Sequence, residues 1–151
     1  MELKIANTEK TVAEGMEEIK NFLMDPSTEG ADLPIRHSFA PGIYAREMSI
    51  PEGTLLIGKI HKHRHHNFLM QGSIIVLTED EGVKLLQAPL MIVSEPGTQR
   101  VGYAVTDTIW TTVHENKDNT EDLGIIEKRT VTDNKQKYIE YKNKLIKNIT
   151  I

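Results

Sequence analysis

Gly58-Lys59-Ile60-His61-Lys62-His63-Arg64-His65-His66-Asn67-Phe68-Leu69-Met70-Gln71-Gly72-Ser73-Ile74-Ile75-Val76-Leu77-Thr78 is the stretch on which the fold turns. Its later part holds two runs, 65–70 and 73–78, parted by Gln71-Gly72, the pattern of two strands joined at a tight turn. The same texture extends outward, with short runs rich in Ile, Val, Leu, Thr and Tyr near 43–50, 54–61, 83–86, 90–93, 100–105 and 108–114. Between them lie turn formers: Pro51-Glu52-Gly53, Glu79-Asp80-Glu81-Gly82, Ala88-Pro89, Glu95-Pro96-Gly97 and Thr106-Asp107. Short, regularly spaced strands of this kind predict an all-β core, a sandwich or a small barrel such as a jelly roll.

Two helices are expected to flank this core. Over 8–24, Val12, Met16, Ile19 and Leu23 recur at three- and four-residue spacing, with Glu14, Glu17, Glu18 and Lys20 opposite. Thr11 and Glu14 have the spacing of a capping box, and Asp25-Pro26-Ser27-Thr28-Glu29-Gly30 ends the helix. Glu115–Asn119 reads as a polar loop, followed by a second helix over about 134–148 capped by Thr132 or Asp133. A chain of 151 residues is thus expected to form a single domain, 1–151: an N-terminal helix, a barrel over 43–114, and a loop with a C-terminal helix over 115–151.

Composition narrows the function classes. Eighteen basic against 22 acidic residues give a net charge of −4, which argues against a nucleic-acid partner. No apolar run approaches the roughly 18 residues needed to cross a bilayer, so no membrane partner is expected. MELKIANTEK lacks the basic-then-apolar pattern of a secretion signal, and a cytoplasmic location is expected. With no cysteine, disulfides, thiolate nucleophiles and Cys-type zinc sites are excluded. Neither a GxxxxGK[ST] loop nor a G-x-S-x-G elbow is present.

Four of the six histidines fall between His61 and His66. If one strand runs straight through, His61, His63 and His65 share a face. Converging imidazoles are ligands for zinc, iron, copper or nickel. A solvated hairpin tip, with Lys62 and Arg64 outward, and an anion site are the other readings of the same residues.

With its histidine-rich strand pair ending at Gly72 and its later Pro-Gly turn, the sequence resembles the cupins, whose fold is a jelly-roll barrel. Counting back seven from Gly72 places His65 where cupins carry a glutamate ligand. His61 then matches the second histidine of the first motif, and Lys59 replaces the first. A second register takes His61-Lys62-His63 as the histidine pair, with His66 or Asn67 near the glutamate position. In Pro96-Gly97-Thr98-Gln99-Arg100, Arg100 stands where the second motif has its histidine. An always-protonated guanidinium is no metal ligand, but it clamps carboxylates and phosphates bidentately. His114, at the end of Trp110-Thr111-Thr112-Val113-His114, is a candidate replacement ligand. A closer resemblance, confined to Gly58–His114, is to small cupin-like proteins of tailed bacteriophages; it implies the host cytoplasm as the setting.

The candidate metal ligands are therefore His61, His63, His65 and His114, for a divalent transition metal (iron, nickel, manganese or zinc). The candidate ligand-binding residues are Arg100, Arg46, Tyr44 and Trp110. Tyr44 and Arg46 share a strand face, which either lines the barrel mouth or lies at an exposed edge. Trp110 reads as a core residue or a stacking platform; His37 is assigned no role. Three functions stay open: a metal-binding cupin acting on a small molecule, a non-catalytic protein sequestering a small anion such as a signalling nucleotide, or a structural, virion-associated protein. Strand edges left open in a jelly roll imply a homo-oligomer, a dimer or higher.

Overall fold

The computed structural model describes residues 33–149 together with positions 14, 17, 18 and 21. These four positions are helical and exposed, and Glu14, Glu17 and Glu18 are among those the pattern over 8–24 sets on the polar face. The rest of that helix and the loop at 25–30 lie outside the described residues.

The chain runs through β1 (Ile35–Ala40), β2 (Gly42–Ile50), β3 (Leu55–Ile57), β4 (Ile60–His61), β5 (His65–Gln71), β6 (Ser73–Thr78), β7 (Gly82–Gln87), β8 (Leu90–Ser94), β9 (Val101–Ala104) and β10 (Thr108–Asn116). Then come α1 (Leu123–Thr130), β11 (Val131–Thr132) and α2 (Lys135–Ile149). One antiparallel sheet has the order β1-β2-β10-β5-β8, the other β3-β9-β6-β7, and β4 pairs with β11. Late strands sit between early ones in both sheets, so each sheet closes only when distant parts of the chain meet. With β1 set aside, this is the eight-strand pairing of a jelly roll.

Register decides what faces inward. Tyr44, Arg46, Met48 and Ile50 of β2 lie on the same face as His114, Thr112, Trp110 and Thr108 of β10, their Cα partners. Trp110 and Thr112 lie opposite Leu69 and Asn67 of β5, and His65 lies opposite Ser94 of β8. The interior is therefore graded, polar at the His65–His114–Tyr44 end and apolar at the other. At the apolar end Ile50, Leu69, Ile74, Val76, Ala104 and Trp110 form one buried cluster. Full burial of each large aliphatic side chain there contributes about 1.5–3 kcal/mol.

The β5–β6 turn needs its glycine. Gly72 has φ +86°, and a Cβ there would stand 2.2 Å from the Asp107 carbonyl oxygen. The left-handed backbone and this close approach both exclude a side chain.

Several expectations are corrected. His37, which reads as part of a loop-like stretch, lies in an edge strand over 35–40. The strand expected over 54–61 breaks at Gly58-Lys59, where the Gly58 N–H donates to the Arg100 carbonyl. β10 continues through Glu115 and Asn116, which read as loop. The helix over 123–130 was not expected; Asp122 caps it, accepting from the Gly124 and Ile125 N–H groups. The cap of α2 is Asn134, whose side chain accepts from the Lys137 N–H, and neither Thr132 nor Asp133 serves. Asp133 instead pairs with Lys59 and Lys137. Among the described residues no helix is long and apolar enough to cross a membrane.

Candidate functional site

Three imidazoles meet at the polar end of the barrel. His61 ends β4, His65 opens β5, and His114 sits on β10 beside Tyr44 of β2. Ring centroids are 4.1 Å apart for His61–His65, 4.7 Å for His65–His114 and 5.3 Å for His61–His114. One ring nitrogen of each lies within 4.8 Å of the others. His65 and His114 are buried and His61 is half-buried.

Burial sets their protonation. Loss of water holds His61 down to about 3, with the nearby His65, His114 and two arginines acting in the same direction. His114 is held at about 4, again chiefly by burial. His65 is lowered too, most by burial and against a hydrogen bond from its own ring to the His63 carbonyl. At neutral pH all three rings are uncharged, the form that binds metals.

The His65 hydrogen bond also assigns its tautomer. Nδ1 lies 3.0 Å from the His63 carbonyl oxygen, which can only accept, so Nδ1 carries the proton. The lone pair is then on Nε2, which is buried and has no hydrogen-bond partner. A buried acceptor left unmatched costs about 1–3 kcal/mol. A ring fixed through one nitrogen by a backbone carbonyl, with the other nitrogen bare, is the arrangement of a metal-ligating histidine. The donor set fits a first-row transition ion. Imidazole-only ligation disfavours Mg²⁺ and Ca²⁺, which take oxygen donors.

His63 does not join this group. The strand stops at His61, residues 62–64 form a bend, and the straight run that would align His61, His63 and His65 is broken. The His63 side chain is on the outside, where Nε2 donates to the Arg129 carbonyl at 3.1 Å and the ring meets Tyr141 edge-on. What His63 lends to the site is its backbone carbonyl. His66 is exposed on the outer face, and Lys59 pairs with Glu127 at the rim.

Below the imidazoles a cavity of about 670 Å³ fills the barrel. Its wall includes Met48, Ile50, Leu56, Ile74, Val76 and Trp110, and its polar lining includes Tyr44, Arg46, Asn67, Arg100, Thr112, His61 and His114. All four residues predicted to bind ligand, Tyr44, Arg46, Arg100 and Trp110, therefore face one space. Trp110 serves as core and wall together.

A buried polar chain holds Arg100 in place. Trp110 Nε1–H donates to Asn67 Oδ1 at 3.2 Å, Asn67 Nδ2 donates to Ser94 Oγ at 2.6 Å, and Arg100 Nη1 donates to the same Ser94 oxygen. Its guanidinium lies 6.0 Å from the Trp110 ring centre. The Arg46 side chain makes no hydrogen bond or ion pair with any described residue.

Three contributors escape the sequence reading. His37, on β1, has Nδ1 2.6 Å from the Tyr44 hydroxyl oxygen, and Tyr44 stacks at 6.3 Å on His114. Burial raises Tyr44 above the usual phenol value, so it stays protonated. Asn67 and Ser94 are fully buried polar residues at inward strand positions; Asn67 enters the sequence reading only near the glutamate position of the second register, and Ser94 only through its phase. Leu123, Ile126, Glu127 and Thr130 of α1 close the mouth, held down where the Lys62 N–H donates to the Thr130 carbonyl at 2.7 Å.

Comparison with solved structures bears on this architecture. Ectoine synthase from P. lautus superposes with a TM-score of 0.50 at 11% identity, over 63% of this chain and 73% of its own. Salicylate 1,2-dioxygenase from Pseudoaminobacter salicylatoxidans gives 0.50 at 13% identity, over 68% of this chain and 31% of its own. An RmlC-like cupin family protein from Methanocaldococcus jannaschii, with a double-stranded β-helix fold, gives 0.48 at 8% identity, over 60% of this chain and 86% of its own. The fold is a jelly roll, as the strand order of the two sheets shows. No protein-family model and no curated protein matches the sequence. At these identities the cupin likeness concerns the fold and carries no chemistry with it. Of the two cupin registers, the one that pairs His61 with His65 brings imidazoles together; His61 and His63 do not share a face.

Proposed function

We propose that this protein is a small-molecule-binding cupin in which His61, His65 and His114 hold a divalent transition-metal ion, iron, nickel, manganese or zinc. The observation that carries this reading is the buried, unpartnered Nε2 of His65, beside two other neutral imidazoles. When bound, such an ion acts as a Lewis acid toward an oxygen of the ligand or a water. The chain's own residues do the rest. Arg100, anchored by Ser94, holds an anionic group of the ligand. The wall from Met48 to Trp110 excludes water from its apolar part, and the Tyr44 hydroxyl, hydrogen-bonded to His37, sets a fixed polar group beside His114.

A second reading is favoured by the arginines alone: a non-catalytic protein, in the setting of the tailed-phage resemblance, that sequesters a small anion in the host cytoplasm. In either case a homo-oligomer is proposed, supported by the exposed Met70, Met91 and Val93 on the outer side of β5 and β8.

Elemental mass spectrometry on protein purified without a histidine tag tests the metal. Near-stoichiometric metal in the wild type, lost in His61→Ala and in His65→Ala, supports the first reading. A wild type that stays metal-free after supplementation with each of the four ions refutes it and leaves the anion-binding reading.

A further inference from the structure

The charge inside the cavity is not balanced. Its charged lining consists of Arg46, Lys59, Arg100 and Glu127. Lys59 and Glu127 pair with each other at the rim, and Asp133 lies 3.4 Å from the same lysine nitrogen. Arg46 and Arg100 leave two positive charges with no carboxylate paired to either among the described residues. Glu81 acts on Arg100 only through space, because its carboxylate is bound to Lys84 at 3.0 Å. Two half-buried cations without a counter-charge are costly unless the partner arrives with the ligand.

Their placement is as telling as their number. Arg46 lies on the His114 side, opposite Thr112 and one inward position from Tyr44, the partner of His114. Arg100 lies on the His65 side, bound to Ser94, the Cα partner of His65. The triad is thus flanked by one guanidinium on each side. A guanidinium fork matches a carboxylate through two parallel hydrogen bonds.

Resting on the cupin-cavity reading above, we infer that the cavity selects a small dicarboxylate, one carboxylate on Arg46 and the other on Arg100, with its carbon chain between them facing the triad and the apolar wall. Each guanidinium then has one carboxylate partner, and neither anionic group need touch an imidazole.

Isothermal titration calorimetry tests this with malonate, succinate, glutarate and adipate against propanoate, butyrate, pentanoate and hexanoate, and with inorganic phosphate as a compact anion. Each is titrated into metal-loaded and chelator-treated protein, the metal content being measured separately. At least one dicarboxylate is expected to bind about tenfold or more tighter than the monocarboxylate of equal length, the gain of one further bidentate pair. Arg46→Met and Arg100→Met should each reduce that dicarboxylate to the monocarboxylate level. Arg46→Lys and Arg100→Lys, which keep the charge, serve where a methionine variant does not fold, and are expected to fall between. Equal binding of mono- and dicarboxylates, tightest binding of phosphate, or binding of none of them would overturn the inference. Dicarboxylate selectivity in protein that takes up no metal would uphold it while the metal reading fails.

Discussion

Lowering the pH from about 7 to about 5 should destabilise the metal-free protein by about 4 kcal/mol through two side chains alone. In the unfolded chain an imidazole titrates near 6.5, whereas in the barrel His61 is held at about 3 and His114 at about 4. Below 6.5 the unfolded chain takes up protons that the folded chain refuses, so acid favours unfolding. The stabilising effect of the neutral rings is complete above 6.5 and is lost as the pH falls toward the folded-state values. By pH 5 the unfolded imidazole is almost fully charged and the folded one almost neutral, a difference of about 2 kcal/mol for each ring. His65 is shifted the same way and adds to the total. Against a typical domain stability of about 5–15 kcal/mol, a change of this size moves a urea midpoint plainly. The assay is urea unfolding of chelator-treated protein at both pH values, beside His61→Gln/His114→Gln. The wild type should lose most of the pH dependence when these rings are replaced. Coincident wild-type curves at the two pH values, or an equal shift in the double variant, would refute the burial argument.

Three further outcomes follow from geometry already described. His63→Ala should keep the metal content of the wild type, because the group that orients His65 is the His63 backbone carbonyl; elemental analysis beside His65→Ala reads the contrast. Asn67→Ala should cost about 2–3 kcal/mol in urea unfolding, since it leaves the buried Trp110 N–H unpaired and frees Ser94, and it should also weaken anion binding through Arg100. Gly72→Ala should cost more than about 1 kcal/mol in the same measurement, its Cβ striking the Asp107 carbonyl on a left-handed backbone.

Much of this architecture could be read because the barrel strands obey period two between strong turn formers. The Gly72 turn, where the chain passes from β5 in one sheet to β6 in the other, and the alternation of Thr108, Trp110, Thr112 and His114 are instances in which the pattern announces itself. What stayed hidden lacked such a pattern. Ile35-Arg36-His37-Ser38-Phe39-Ala40 is an edge strand, mostly exposed, so nothing in its polarity distinguishes it from loop, and His37 went unread with it. The eight residues of α1 bury only Ile126 and are too short to show a helical stripe. The outward turn of His63 depends on a bend at 62–64 that alternation alone cannot foresee. Asn67 and Ser94 look like ordinary polar strand residues until the sheet register puts them face to face with the core.

The pairing of β4 with β11 has a consequence for the order in which the protein is made. The strand that ends in His61 finds its ladder partner at Val131–Thr132, where Val131 lies opposite His61. A ribosome therefore delivers His61 and His65 first, His114 some fifty residues later, and the strand that seats His61 last of all. A nascent chain that has just released His114 carries every imidazole, yet its His61 strand has no ladder and its cavity no roof. Until α1 and β11 emerge, the three rings are tethered but not assembled, and an ion captured earlier would meet histidines still free to turn toward water.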